Sequence, residues 1–284
     1  MILFAHASVL DPAAGHLLRD RFVLVDGATI LSVTEQPPAA PGARVIDASA
    51  KVLMPGLIDC HVHSLASQVN LGRMANMPNV LAVLRAVPLL RGMLERGFTT
   101  VRDAGGADFS LAEATRTGVI DGPRIFASGR ALSQTGGHGD FRERSDVIEP
   151  CACAAKIGAI SRVVDGVDAV RRAVREELQK GATQIKIMAS GGVASPNDPV
   201  HFLGYSEDEI RAAVEEAGNA GTYVMAHAYT GRAIARAVRC GVRSIEHGNL
   251  VDAEAARVMA DHGAIAVPTL ATYEALATEG AALG

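Results

Sequence analysis

Tryptophan is absent from the 284 residues, and aromatics of any kind make up only 4%. A nucleobase-stacking platform needs closely spaced aromatic faces, so that class is excluded. Excess positive charge is missing too. Lys and Arg number 27 against 31 Asp and Glu, a formal net charge of -4, which offers no basic field to nucleic acid. Cysteine is scarce: Cys60, Cys151, Cys153 and Cys240 are the four. Cys151-Ala-Cys153 is too tight for a zinc knuckle, so the expectation is reduced, non-catalytic thiols, with a cysteine nucleophile as the lesser reading. No uncharged apolar run approaches roughly 18 residues. The longest, Val80–Leu90, is broken by Arg85 and Pro88. The opening MILFAHASVLD has neither a cationic n-region nor a cleavage site. These absences predict a cytoplasmic protein with no membrane and no nucleic-acid partner.

What is abundant is Ala, Val, Ile and Leu within a hydrophobic fraction of 49%, enough for a substantial core. Two regions differ in pattern. Residues 1–54 carry short β-like runs at Ile2–Phe4, Phe22–Val25, Thr29–Val33, Arg44–Ile46 and Lys51–Met54, around the loop QPPAAPG (Gln36–Gly42). They read as a small antiparallel β unit, one part of a β-sandwich. Residues 55–284 alternate strand and helix. Strands are expected at Leu57–Asp59, Thr99–Arg102, Arg124–Ala127, Thr183–Ile187, Tyr223–Ala226, Val242–Ile245 and Ala264–Val267. Helices are expected at Asn79–Arg96, Asp168–Lys180, from the capping box Ser206-Glu-Asp-Glu209 to Asn219, at Arg232–Arg239, at Asp252–His262 and from Tyr273. Repeated βα units imply parallel strands jacketed by helices. The fold class is therefore α/β, a TIM-like (β/α)8 barrel lacking its eighth strand.

Chemistry concentrates at strand ends. Pro55-Gly-Leu-Ile-Asp-Cys-His61-Val-His63 is an apolar strand finishing in His-x-His. Alternate strand residues face one side, so both imidazoles reach one cation at the catalytic end of a barrel. A bare His-x-His is equally two surface histidines; its placement distinguishes this one. Lys186 interrupts the apolar run Gln184–Ala189. A buried, unpaired ammonium tends to lose its charge, and a neutral amine can add carbon dioxide to become a carbamate able to bridge two cations. The plainer reading is a snorkelling lysine. His227 and His247 close the next two strands at spacings that suit βα units. Each alone is a packed histidine; four at matching positions suit divalent metal, zinc included.

With those residues in view, the sequence resembles the amidohydrolase superfamily, in its imidazolonepropionase-like and Xaa-Pro (Xaa-Arg) dipeptidase branch. The resemblance spans essentially the whole chain, through PGLIDCHVH (Pro55–His63), TTVRDAGG (Thr99–Gly106), TGGHGD (Thr135–Asp140), IKIMASGGVASPNDP (Ile185–Pro199), HAYTG (His227–Gly231), IEHG (Ile245–Gly248) and VPTL (Val267–Leu270). It implies two divalent metal ions, zinc first among them. His61 and His63 would hold the more buried ion, His227 and His247 the second, and Lys186 would bridge them as its carbamate. His138 and Tyr229 would bind substrate. The implied reaction is hydrolysis of amide or peptide C–N bonds by a metal-bridging hydroxide, with a dipeptide or other small molecule as substrate. A cyclic-amide hydrolase is the enzymatic alternative, and an inactive metal-binding remnant the non-enzymatic one.

The family's general acid-base aspartate at the end of strand eight has no counterpart after VPTL, where Glu274 and Glu279 are the only acids. The sequence is accordingly read as a fragment whose small β part also lacks its return, with little hydrolase activity when expressed alone. Family resemblance also suggests a homo-oligomer. His6 and His16 are expected at the surface, His262 at a helix end and His201 in a loop that could line the mouth. Arg102 and Asp103 are expected either to support the site or to pair with each other.

Overall fold

Strand alternation in the first region is interrupted where two residues adopt left-handed backbone conformations. His6 (φ 61°) and Asp20 (φ 51°) sit at an irregularity between two long strands, and their side chains meet at 2.8 Å on the exposed surface. Those strands, β1 (Ile2–Asp11) and β2 (His16–Asp26), are therefore much longer than the apolar runs within them suggest. They form an antiparallel hairpin, to which β3 (Thr29–Thr34) adds antiparallel to β2. The expectation of a wholly antiparallel unit is corrected here. β4 (Arg44–Asp47) and β5 (Val52–Leu53) both run parallel to β1. The reason lies in the loop with Pro37, Pro38 and Pro41, which cannot extend a hairpin for want of amide donors. It carries the chain from β3 at one edge across to β1. Among the described residues this unit is one five-stranded sheet, with Leu3, Ala5, Phe22 and Leu24 at its core.

The computed structural model describes residues 1–142, 159–193 and 197–283, and the chain divides into two compact units at Leu57. The expectation for the thiols of Cys151 and Cys153 falls outside the described residues; Cys60 and Cys240 are free.

In the second unit β6 (Leu57–Val62), β7 (Phe98–Asp103) and β8 (Arg124–Phe126) form a three-stranded sheet. A parallel six-stranded sheet follows, ordered β10-β9-β11-β12-β13-β14, from β9 (Ala131–Ser133), β10 (Ser161–Val163), β11 (Ile185–Met188), β12 (Val224–Thr230), β13 (Ser244–Leu250) and β14 (Ile265–Val267). β9 and β10 were not foreseen; three residues are too few to show a period. The two sheets are stitched where β8 ends and β11 begins. Thr183 N donates to Ala127 O at 2.8 Å, and the Gln184 amide donates to Asp103 O and Phe126 O at 3.1 and 3.0 Å. The unit is thus an α/β fold with parallel sheets.

Two helices, α1 (Leu71–Ala75) and α3 (Phe109–Arg116), were not foreseen; α2 (Asn79–Glu95), α4 (Val167–Gln179), α5 (Glu207–Asn219), α6 (Gly231–Arg239), α7 (Ala253–Asp261) and α8 (Leu270–Leu283) lie where the 3.6-residue period predicts helices. The capping box is formed: Ser206 Oγ accepts from Glu209 N while Glu209 returns to Ser206 N at 2.8 Å. Such a cap is worth about 1 kcal/mol. Ile185, Ile187, Ile210, Ile234 and Ile245 fill the layer between sheet and helices, and small alanines on α5 and α6 let the helices approach closely. Among the described residues no helix is long and apolar enough to cross a membrane.

Candidate active site

Sheet register decides which side chains share a face. Lys186 pairs with Met225 and Met225 with Ser244; two residues on, Met188 pairs with His227 and His227 with Glu246. Residues in register on parallel strands point the same way, so Lys186, His227 and Glu246 face one side. Simple alternation would send His247 to the other. It does not, because His247 takes a left-handed conformation (φ 73°) at an irregularity in β13. This conformation is uncommon outside glycine and is typically retained at functional positions. Its ring lies 4.9 Å from that of His61 and 4.7 Å from that of His227, centroid to centroid. His61 and His63 are 5.4 Å apart. Four imidazoles carried by β6, the residue after it, β12 and β13 therefore meet.

Lys186 lies among them, 1% exposed. Its charge depresses the proton affinity of all four rings. Among the described residues no hydrogen bond or ion pair holds its ammonium. Burial lowers its pKa to about 8, against the pull of Glu246. Burial is also the main cause that depresses the rings, His63 to about 4 and the others further below the usual value. All four are neutral at pH 7, His61 included, although a carboxylate stands 2.6 Å from it.

Each ring is fixed through one nitrogen. His63 Nδ1 donates to Gly105 O at 2.9 Å and His227 Nε2 to Gly191 O at 3.1 Å, since a carbonyl only accepts. That leaves lone pairs on His63 Nε2 and His227 Nδ1. His61 is held at Nδ1 by Glu246 and His247 at Nδ1 by Thr269 Oγ1, 2.8 Å away. Neutral imidazoles with an unengaged lone pair, around an amine easily deprotonated, are a donor set that divalent cations fit. Among the described residues no three His, Cys, Asp or Glu side chains close on one point.

Two further predicted residues join this cluster. His138 stacks on His227 at 4.1 Å and its Nδ1 contacts Asp198 Oδ2 at 3.0 Å. The Tyr229 ring stacks on His247 at 5.4 Å, and its hydroxyl meets that of Tyr273. His201 is not brought in; it is exposed, beside Phe202. His262 closes α7 through Val258 O, and His16 is exposed at a strand end. Arg102 and Asp103 do not pair with each other, because adjacent strand residues point apart. Arg102 reaches Glu246 at 2.8 Å. Asp103, wholly buried, accepts from the backbone of Ser64, Gly105 and Ala107.

Sequence reasoning missed Glu246, Asp198, Thr269 and Tyr273. Glu246 carried a usable signal: an acid inside an apolar strand demands a partner as much as Lys186 does. The others depend on loop paths.

The depressed imidazoles set a pH dependence for the metal-free protein. Their folded pKa values lie below the unfolded value near 6.5, so the unfolded chain binds more protons between about pH 4 and 6.5, and stability rises with pH there. Asp103, raised to about 6 by burial, acts oppositely, as does Glu246. Four rings outweigh two carboxyls. The urea midpoint in chelator is expected to be lower at pH 5 than at pH 7; a higher midpoint at pH 5 would refute this balance.

Fold and cluster together define an α/β protein that gathers a polar site of imidazoles and one amine at the ends of parallel strands. The chain belongs to the amidohydrolase family, whose model matches residues 52–282. It is 32% identical to the ochratoxinase of Aspergillus niger, over 99% of this chain and 62% of that protein. The chain thus spans less than two thirds of that relative. Among solved structures it is similar to a prolidase crystallised with N-methylphosphonate-L-proline, with 64% identity and a TM-score of 0.97, over 100% of this chain and 69% of that one. It is also similar to an Xaa-Pro dipeptidase with methionine bound in its active site, with 29% identity and a TM-score of 0.86, over 98% and 69%.

Proposed function

We propose that this chain is the greater part of a binuclear metal-dependent amidohydrolase that cleaves C–N bonds, with dipeptides of the Xaa-Pro or Xaa-Arg kind as substrates. One observation carries the reading: a buried lysine without a partner among the described residues lies among four neutral histidines. On this reading β6, β7, β8, β11, β12, β13 and β14 are seven strands of a (β/α)8 barrel, and the five-stranded sheet is one layer of a small sandwich.

His61 and His63 would hold one cation through ring lone pairs, and His227 and His247 the other. The neutral Lys186 amine would add to carbon dioxide, forming an N–C bond and releasing one proton, and the resulting carbamate would offer oxygen ligands to both. When bound, two zinc ions activate water and polarise the scissile carbonyl. His138, braced by Asp198, and Tyr229, braced by Tyr273, orient the substrate over the rings of His227 and His247. The prolidase and dipeptidase likenesses support the dipeptide assignment; the ochratoxinase likeness supports amide hydrolysis more broadly.

Zinc loading followed by metal analysis, with a dipeptide panel and N-methylphosphonate-L-proline as a binding probe, tests the proposal. About two zinc ions per chain are expected, falling in Lys186→Met, together with phosphonate binding that the dipeptides displace. Stoichiometry of one that Lys186→Met leaves unchanged would overturn the binuclear reading. Turnover of cyclic amides but not dipeptides would move the assignment to a cyclic-amide hydrolase.

A further inference from the structure

Glu246 is wholly enclosed, with 0% exposure, and three donors converge on it. Arg102 Nη2 and Ser244 Oγ both donate to Oε1, at 2.8 and 2.6 Å, while His61 Nδ1 lies 2.6 Å from Oε2. Arg102 does more than neutralise the acid. Its Nε donates to the backbone oxygen of Cys60, at 2.7 Å, and its Nη1 reaches Tyr223 Oη and Ser244 Oγ, each at 3.2 Å. One guanidinium therefore clasps the residue preceding His61 and the carboxylate that holds the His61 ring. A closed circuit runs from the Cys60 backbone through His61, Glu246 and Arg102 and back to Cys60.

The protons in this circuit are determined by its donors. Arginine is always charged, so its guanidinium at Oε1 favours the ionised form of Glu246; the serine hydroxyl donates to the same oxygen, and an ionised carboxylate accepts at Oε2 as well. The short contact at Oε2 then requires a proton on His61 Nδ1. We infer that Glu246 is a positioning residue: it locks His61 as the Nδ1–H tautomer, so that the Nε2 lone pair is presented to the cation, and Arg102 and Ser244 hold Glu246 in place to do it. A carboxylate behind a ligating histidine fixes ring orientation and raises basicity. The inference rests on the proposed metal reading only for what Nε2 meets; the tautomer itself is a property of the metal-free chain.

The isosteric change Glu246→Gln makes the test sharp. Arg102 and Ser244 keep the amide oxygen at the Oε1 position, which places the NH2 group opposite His61 Nδ1. The ring must then accept there and carry its proton on Nε2. The experiment is a long-range 1H–15N correlation spectrum of the metal-free chain labelled with 15N-histidine, His61 being assigned by its loss in His61→Gln. Zinc affinity is measured alongside by competition with a chelating dye.

Nδ1–H is expected at His61 in the unmodified chain and Nε2–H in Glu246→Gln. His63 should be unchanged and zinc affinity reduced roughly 10–100-fold. An Nε2–H signal at His61 in the unmodified chain overturns the inference whatever the zinc result, and needs no variant to fold. A folded Glu246→Gln with unaltered His61 tautomer and zinc affinity reduces Glu246 to a structural ion pair and also overturns it. Should the tautomer switch in Glu246→Gln while the unmodified chain binds no zinc, the tautomer lock stands and the metal reading falls.

Discussion

Lys186→Met is expected to make the metal-free protein more stable at pH 7, by on the order of 3 kcal/mol, while weakening its hold on divalent metal. The lysine is wholly enclosed and its pKa falls from 10.5 to about 8, chiefly through burial. A tenfold loss of proton affinity corresponds to about 1.4 kcal/mol. Methionine has similar length, carries no charge to desolvate and fills irregular space well. The folded lysine pKa lies below its unfolded value, so the unfolded chain binds more protons between about pH 8 and 10. The lysine's penalty is thus largest at neutral pH and fades as pH rises through that interval. Urea denaturation in chelator should therefore show a clear advantage for the variant at pH 7 that shrinks by pH 10. Equal stabilities at both pH values would mean the amine is already paired, removing the main support for a carbamate. A residue that impairs folding yet fills the centre of the site is one maintained for function.

Asp103→Ala is expected to destabilise the protein by roughly 3–5 kcal/mol, since three buried backbone N–H groups lose their acceptor. Oδ2 accepts from Ser64 N at 2.6 Å; Oδ1 accepts from Gly105 N at 2.9 Å and Ala107 N at 3.2 Å. The same loop carries the Gly105 carbonyl that fixes His63. No other residue can substitute at Gly105, whose φ is 149° and whose added Cβ would stand 2.7 Å from Ile160 O. Losing Asp103 therefore loosens the first turn after β7 and the ring it orients. Against a total stability of about 5–15 kcal/mol this is a large fraction. Asp103→Asn keeps one acceptor oxygen and should recover part of the loss. A denaturation midpoint for Asp103→Ala equivalent to less than about 1 kcal/mol of destabilisation would show that water replaces the carboxylate at all three amides.

The legible part of this fold was local. The capping box at Ser206 and the helices expected at Asn79–Arg96 and Asp168–Lys180 are settled within a few residues, and the structure places their ends within one residue of the pattern. What escaped was set by distant pairing. β4 and β5 run parallel to β1 because of where a proline-rich loop delivers the chain, and β9 exists as a strand only because β11 lies alongside to receive it, as β10 does because of β9. Within the site, His-x-His and Lys186 stood out because their chemistry conflicts with apolar surroundings. Glu246 showed the same conflict, but its partner His61 lies 185 residues away. His247 was expected to close its strand, but β13 runs on to Leu250, and the turn of His247 toward the other rings depends on its own left-handed backbone.

By itself the order of residues determined where most of the helices begin and stop, and which strands carry the donors, because hydrophobic period, caps and the penalty for enclosed charge act over short stretches of chain. Tertiary structure alone decided that Arg102 clasps Glu246, that Glu246 holds His61, and that Asp103 shapes the loop behind His63. Those contacts join segments far apart in sequence, and they become favourable only once packing has excluded water from the space they share.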